Sequence, residues 1–287
     1  MTAFPREFRL MLDDILRRAP QVKGVSGRRD RGRRRTGEQT GTFAGHRAYS
    51  EGEDLRQLDW NVYARTGELF LKMLEEEEQR SLVLCLDCSP SMMAGQQPRF
   101  FGAKRLAAIL GGLALVGLDA LHLVTGRGKL QTLQGAVAVS SLMDALDACP
   151  TEPCEEIEMV QAPLESGWQG TVCWISDFAE PDQLVAPLAM LRRHGRRCRG
   201  WLPLLPGDTT PELDGWVRLV DPETGQEAVV QLDAELRRAM VDELKLLARH
   251  QDSVFAAVGY PLIRFPLPVA GDFRLSSWFD GSWTSRF

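Results

Sequence analysis

"SLVLCLDCSPSMMAG", residues 81–95, decides the reading of the fold. Its first half, "SLVLCLD", is a near-continuous apolar run, as a strand buried on both faces requires. The run ends on Asp87, and Ser89 and Ser91 follow at two-residue steps. Extended backbone sends side chains i, i+2 and i+4 to one side. One carboxylate and two hydroxyls are therefore expected to converge where the chain leaves the strand.

The pattern repeats outward from this run. A helix is expected at about 99–118, then a strand in "ALHLVTG", a short "LQTLQG" piece and a helix around "SSLMDALDA". "TVCWISDF" is a second apolar strand ending in an acid, Asp177. A helix over 181–194 opens on Pro and ends on basic residues before Gly195, as start and stop signals predict. "CRGWLPLL" and "PLIRFPLP" supply further strands, "DPETGQE" a turn between β-pieces, and 233–258 a long helix. Strands alternating with helices imply an α/β fold with a mostly parallel sheet and helices on both faces.

The N-terminal part differs. Residues 4–18 read as an amphipathic helix with Phe8, Leu10, Met11 and Ile15 on its apolar face. The stretch 23–40 mixes Gly, Arg, Thr and Gln without a period and reads as a loop. After it, "LDWNVYA" and "ELFLKML" read as β-like pieces between the turn signals "SEGED" and "RTGE". The expected division is thus 1–80, an N-terminal helix, Arg-rich loop and small β-rich region, and 81–287, the α/β domain.

Composition narrows the function. The chain has 287 residues, 44% hydrophobic and 25% charged, as a soluble globular protein has. With 34 Lys and Arg against 39 Asp and Glu, the net charge of −5 argues against a nucleic-acid or membrane-surface binder. "RRDRGRRR" at 28–35 lacks interleaved aromatics and reads as a solvated loop suited to an acidic partner surface. The most apolar window, 106–118, is too short to span a bilayer and is followed by Asp119 and His122, so no membrane insertion is expected. None of the six Cys lies in a CxxC pair. Cys149 and Cys154 in "CPTEPC" have no His or second pair to complete a zinc set. Free thiols and a cytoplasmic location are expected.

In open α/β sheets, ligands bind beyond the carboxyl ends of strands at a topological switch point. Asp87 and Asp177 both end strands, so they are expected to meet there. A small hard cation such as Mg²⁺ (or Mn²⁺) prefers oxygen ligands and keeps some of its waters. Asp87, Ser89, Ser91 and Asp177 would suit it, with a position left for a partner's carboxylate.

These residues also carry a resemblance. Asp87-Cys-Ser89-Pro-Ser91 resembles the DxSxS motif of the metal-ion-dependent adhesion site (MIDAS) in von Willebrand factor A domains, and Asp177 in "ISDF" resembles that site's later aspartate. "RAYSEGEDLRQLDWNVYARTGELFLKMLEEEE" resembles a block of the domain of unknown function 58 family. The resemblance runs from about residue 30 to 265. It implies a von Willebrand factor A-like (Rossmann-like) domain behind a small β-rich region. It also implies association with a MoxR-type AAA+ ATPase, as an adaptor or co-chaperone in assembling or maturing a protein client. Two departures stand out. The family's GDD reads Gly52-Glu53-Asp54, and the threonine expected near 150–160 is replaced by "TEPCEEIEM", where Glu155 or Glu156 falls nearer the expected spot than Thr151.

Rival readings exist for each feature. Asp87, Ser89 and Ser91 would also serve as caps of a following helix. A metal-dependent hydrolase would use the same edge, with Glu155 or Glu156 as ligand or base. A serine hydrolase is disfavoured, since no G-x-S-x-G elbow exists and His122 falls inside a strand. No G-x-x-x-x-G-K-[ST] is present, so the chain is not an ATPase by itself. Arg47, Tyr49, Asp54, Arg56, Asp59, Trp60 and Arg65 form either a partner surface or a buried network of Arg–Asp pairs; alternating charges favour pairing.

Overall fold

The computed structural model describes residues 2–18, 42–50, 58–75, 81–94, 99–118, 120–168, 170–205, 208, 215–268 and 272. The chain forms two units, Gly27–Gln79 and a larger one made of Met1–Ser26 with Arg80–Phe287. The Arg-rich run 28–35, Gly52, Glu53, Asp54 and Arg56 lie outside the described residues.

In the larger unit, β3 (Ser81–Leu86) is the central strand of a six-stranded sheet. Parallel to it on one side runs β4 (Ala120–Thr125), which pairs antiparallel with the edge strand β5 (Lys129–Leu133). On the other side lie, all parallel, β6 (Thr171–Ile175), β7 (Arg197–Leu204) and β10 (Leu262–Pro266). The order β10-β7-β6-β3-β4-β5 means that the chain builds outward from β3 in one direction, then returns to build in the other. The switch lies between β3 and β6, so the sheet is α/β, mixed and mostly parallel.

The alternation within β3 makes two cores. Leu84 and Leu86 face α1 (Arg6–Arg18), α3 (Arg99–Gly117) and α4 (Val139–Ala148). Val83 and Cys85 face α5 (Glu156–Glu165), α6 (Val185–Arg193) and α7 (Ala234–Ala257). Burial on both faces is why this strand lacks polar alternation. The helix α3 is the one described helix long and apolar enough to cross a membrane, and 72% of its most apolar window is buried in the protein. Gly111 and Gly112 let neighbours approach it closely: a Cβ on Gly111 would stand 2.7 Å from a Leu142 methyl, and one on Gly112 3.2 Å from a Leu16 methyl. The helix α1 packs here through Phe8 and Leu12, with Phe4 just before it, so it belongs with the sheet and not with the β-rich region of an expected 1–80 segment.

One expectation from the sequence differs from the structure here, and one agrees with it. The sequence reading places no helix between "SSLMDALDA" and "TVCWISDF", but Glu156 begins α5, whose Pro163 and acidic start obscure the helical period. The hairpin of β8 (Gly215–Val220) and β9 (Glu227–Leu232) forms its own two-stranded sheet around the "DPETG" turn.

The smaller unit pairs β1 (Thr42–Ala48) antiparallel with β2 (Phe70–Glu75). Between them, "LDWNVYA" is a helix, α2 (Trp60–Thr66), where a β-piece was expected. Its end signals outweigh the strand preference of Trp, Val and Tyr. Asp59 accepts from the N–H groups of Asn61 and Val62, and Gly67 closes the helix at φ 72°. Asp59 also bonds His46 Nε2 at 2.9 Å. Trp60 is exposed and stands edge-on to Tyr63, and Arg65 bonds the Asn61 carbonyl of its own helix. The backbone N–H of Tyr49 donates to Leu69, and Arg47 lies exposed on β1.

Candidate functional site

The switch point brings together the ends of β3 and β6. Asp87 is buried, and both its oxygens are engaged: Oδ1 accepts from the Ser89 N–H at 2.8 Å, and Oδ2 from the Ser176 hydroxyl at 2.6 Å. Fully buried Ser176 also accepts from the Phe178 N–H at 3.0 Å. The Ser89 and Ser91 hydroxyls lie 2.9 Å apart, and the Ser91 hydroxyl hydrogen-bonds Asp177. Ser89 occupies the cap position of the short 3-10 turn Pro90–Met93, yet its side chain makes no capping bond. Its hydroxyl is turned to Ser91 instead.

The loop holding Asp177 is braced from behind. Phe178 has φ 50°, an unusual value for a side chain without local polar function. It is sealed between Trp174 and Phe255, whose ring centroids lie 5.9 and 5.2 Å away. From α7, buried Gln251 donates to the carbonyls of Asp177 at 3.1 Å and Phe178 at 3.0 Å.

Carboxyl groups crowd at this edge. Burial, and then the nearby Asp87, push the Asp177 carboxyl above its ordinary value, against Arg99 and the Ser91 bond. Glu156, at the first turn of α5, is pushed from 4.5 to about 8 by burial and then by Asp87, Asp177 and Glu180. A helix N-terminus favours a carboxylate by only about 0.3–1 kcal/mol, so burial and like charge win. Glu155, one residue earlier, is exposed and caps nothing with its side chain. Arg99 is the cation here, 3.3 Å from Asp177 and 2.8 Å from Asp208. A further acid arrives from the β8–β9 turn: Glu223 accepts the Ser91 N–H at 2.8 Å, in a turn shaped by Asp221 bonds to Glu223 and Thr224.

This donor set suits a hard cation. It offers only oxygen, its carboxylates repel one another, and two hydroxyls lie side by side. Among the described residues no three His, Cys, Asp or Glu side chains form a self-sufficient metal cluster. Hydroxyls and water would have to complete any coordination sphere, with Asp87 acting through water because its oxygens are taken.

Sequence reasoning named Asp87, Ser89, Ser91, Asp177 and Glu156, and missed Ser176, Arg99, Gln251 and Glu223. The adjacency of Ser176 to Asp177 was a usable signal. The others reach the edge from helices and a hairpin 73 to 132 residues from their partners, which no local pattern encodes. His122 lies within β4 and bonds Thr132 at 3.0 Å.

The chain belongs to the family described as "Protein of unknown function DUF58", whose model matches residues 45–251. Among solved structures, it is similar to an aerotolerance-related membrane protein from Bacteroides fragilis carrying multiple mutations to serines. That match has 17% identity, covers 64% of this chain and 90% of that one, and has a TM-score of 0.38. It is also similar to the conserved hypothetical protein BatB from Bacteroides thetaiotaomicron, at 18% identity over 66% of this chain and 91% of that one, with a TM-score of 0.37. No match is found among the curated proteins.

Proposed function

We propose that this chain is a non-enzymatic, cytoplasmic adaptor that captures a protein partner through a Mg²⁺-type site. Its fold is read as von Willebrand factor A-like, a reading supported by the strand order with its antiparallel edge and by the DxSxS spacing at the switch point. By resemblance it acts with a MoxR-type AAA+ ATPase in assembling or maturing a client protein. The observation that carries the reading is the pairing of the Ser89 and Ser91 hydroxyls beside an excess of carboxylates. When bound, the cation would offer a Lewis-acid position to a partner's Asp or Glu. Ser89 and Ser91 would hold it directly. Asp87 and Asp177 would hold its waters, with Ser176 and Gln251 keeping the two acids in place.

The test is capture of the purified MoxR-type ATPase, measured with Mg²⁺, with chelator and with Asp87→Ala, alongside calorimetric titration of Mg²⁺ and Mn²⁺. Capture is expected to need the metal and Asp87. Capture that survives both chelation and Asp87→Ala removes the metal from the mechanism.

Glu156 favours a second reading. Its raised value at the switch point makes Glu156 a candidate general base or acid, and a metal-dependent hydrolase would use it so. Metal-dependent turnover across a phosphoester panel, abolished by Glu156→Gln and Asp177→Ala, selects this reading; a silent panel weakens it and leaves the adaptor and a metal-free structural scaffold, which the capture test above separates.

A further inference from the structure

Directly beside the cation-site motif lies a feature with a different chemistry. Cys88 stands between Asp87 and Ser89, and its sulfur lies 2.9 Å from that of Cys149, 61 residues later. Cys149 caps the C-terminus of α4. Cys88 is fully buried, while Cys149 retains 8% exposure. The pair has a built polar surround. The ammonium of buried Lys104 donates to the Cys149 carbonyl at 2.9 Å and the Asp147 carbonyl at 3.3 Å, and the Thr125 side chain hydrogen-bonds Cys149. The Glu152 N–H donates to the Cys88 carbonyl at 2.8 Å, tying the two segments together.

The other thiols lack this combination. Cys85, Cys173 and Cys198 are strand residues inside the apolar cores, and burial pushes all three thiols up. Cys154 is pushed up to about 12, again by burial first. Cys149 alone is lowered, to about 7, by the Cys88 hydrogen bond first, then by Thr125 and Lys104, with burial opposing.

We propose that Cys88 and Cys149 are a peroxide-responsive dithiol that closes to a reversible disulfide beneath the cation-site loop. The Cys149 thiolate attacks one oxygen of hydrogen peroxide, breaking the O–O bond and releasing hydroxide, which takes a proton to become water. Cys149 is left as the sulfenic acid. The Cys88 sulfur then attacks the sulfenic sulfur, giving the disulfide and a second water. Two thiols are oxidised and one peroxide is reduced. A disulfide needs its sulfurs at about 2.05 Å, so closure asks for a movement of under about 1 Å. The bond fastens the exit of β3, which bears Ser89 and Ser91, to the segment that leads into Glu156.

The test treats the folded wild-type chain with hydrogen peroxide, blocks free thiols and maps peptides by mass spectrometry without reduction. A Cys88–Cys149 link is expected, reversed by dithiothreitol, while Cys85, Cys173 and Cys198 react with alkylating agent only after unfolding. Cys88→Ser should leave a Cys149 sulfenic acid that dimedone captures. Should that variant not fold, the wild-type map decides alone. The proposal is overturned if Cys88 and Cys149 stay alkylatable at peroxide concentrations that oxidise exposed methionines, or if Cys149 links to Cys154.

Discussion

Replacing Glu156 by Gln should stabilise the protein at high pH and leave it unchanged at low pH. In the folded chain the carboxyl holds its proton up to about 8, whereas in the unfolded chain it releases it near 4.5. Between these values the unfolded state binds fewer protons, so wild-type stability falls as pH rises, and the loss is complete above about 8. Each pH unit separating the two values is worth about 1.36 kcal/mol, which sets a ceiling of about 5 kcal/mol. The side chain is only half-buried, and water screens part of the repulsion, leaving a loss of about 2–3 kcal/mol. Gln mimics the protonated form throughout. Urea unfolding of both proteins should therefore coincide near pH 4 and diverge toward about pH 8.5, with the variant more stable. Asp177, also raised, adds to the slope in both proteins and cancels in the difference. Adding Mg²⁺ should narrow the gap at high pH, since a cation stabilises ionised carboxylates. Parallel stability profiles for wild type and Glu156→Gln would refute the reasoning, because they would mean that Glu156 is solvated and away from the other acids.

Three further outcomes are expected. Ser176→Ala should cost about 2–3 kcal/mol in denaturant unfolding, because a buried carboxylate oxygen loses its hydroxyl donor and the Phe178 N–H loses its acceptor. Gln251→Leu should cost about 2–3 kcal/mol by leaving the carbonyls of Asp177 and Phe178 without their donor, and should weaken Mg²⁺ binding in calorimetry by loosening the Asp177 loop. Asp59→Ala should cost about 1 kcal/mol and lower the far-ultraviolet helix signal, because α2 loses its N-cap.

The parts of the fold legible in the sequence were those whose signal is local. The "SLVLCLD" and "TVCWISD" runs are built on strands covered by helices on both sides, and each ends on an acid because the chain there emerges at the sheet edge. The long helix expected over 233–258 is α7, which Asp233 caps by accepting from the N–H groups of Glu235 and Leu236. By contrast, α2 was misread because two end caps, not its strand-preferring interior, decide its state. The helix α5 was hidden by Pro163 and by acids that a solvated loop would carry equally well. At the site, the DxSxS spacing identified the chain segment but not its supports. Nothing in Arg99 or Gln251 signals which carboxylate or carbonyl each will meet, since that depends on where α3 and α7 lie against the sheet. Likewise, "CPTEPC" draws attention to Cys149 with Cys154, whereas the fold pairs Cys149 with Cys88.

The arrangement of charge also separates the rival readings of the motif. A loop that served only to cap a following helix would use Ser89 to satisfy backbone donors, and carboxylates near it would gain by helix polarity. Here Ser89 makes no capping bond, and the carboxyl at the start of α5 is destabilised as an anion despite its favourable helix position. Burial first, and then Asp87, Asp177 and Glu180, oppose ionisation of Glu156, which therefore keeps its proton up to about 8. Structural carboxylates are ordinarily paired, and Arg99 is shared between Asp177 and Asp208. On the reading proposed above, a ligand that favours the ionised carboxylates would be bound at this switch point. On that proposal, a small divalent cation would match both the sign of the ionised carboxyls and the all-oxygen donors.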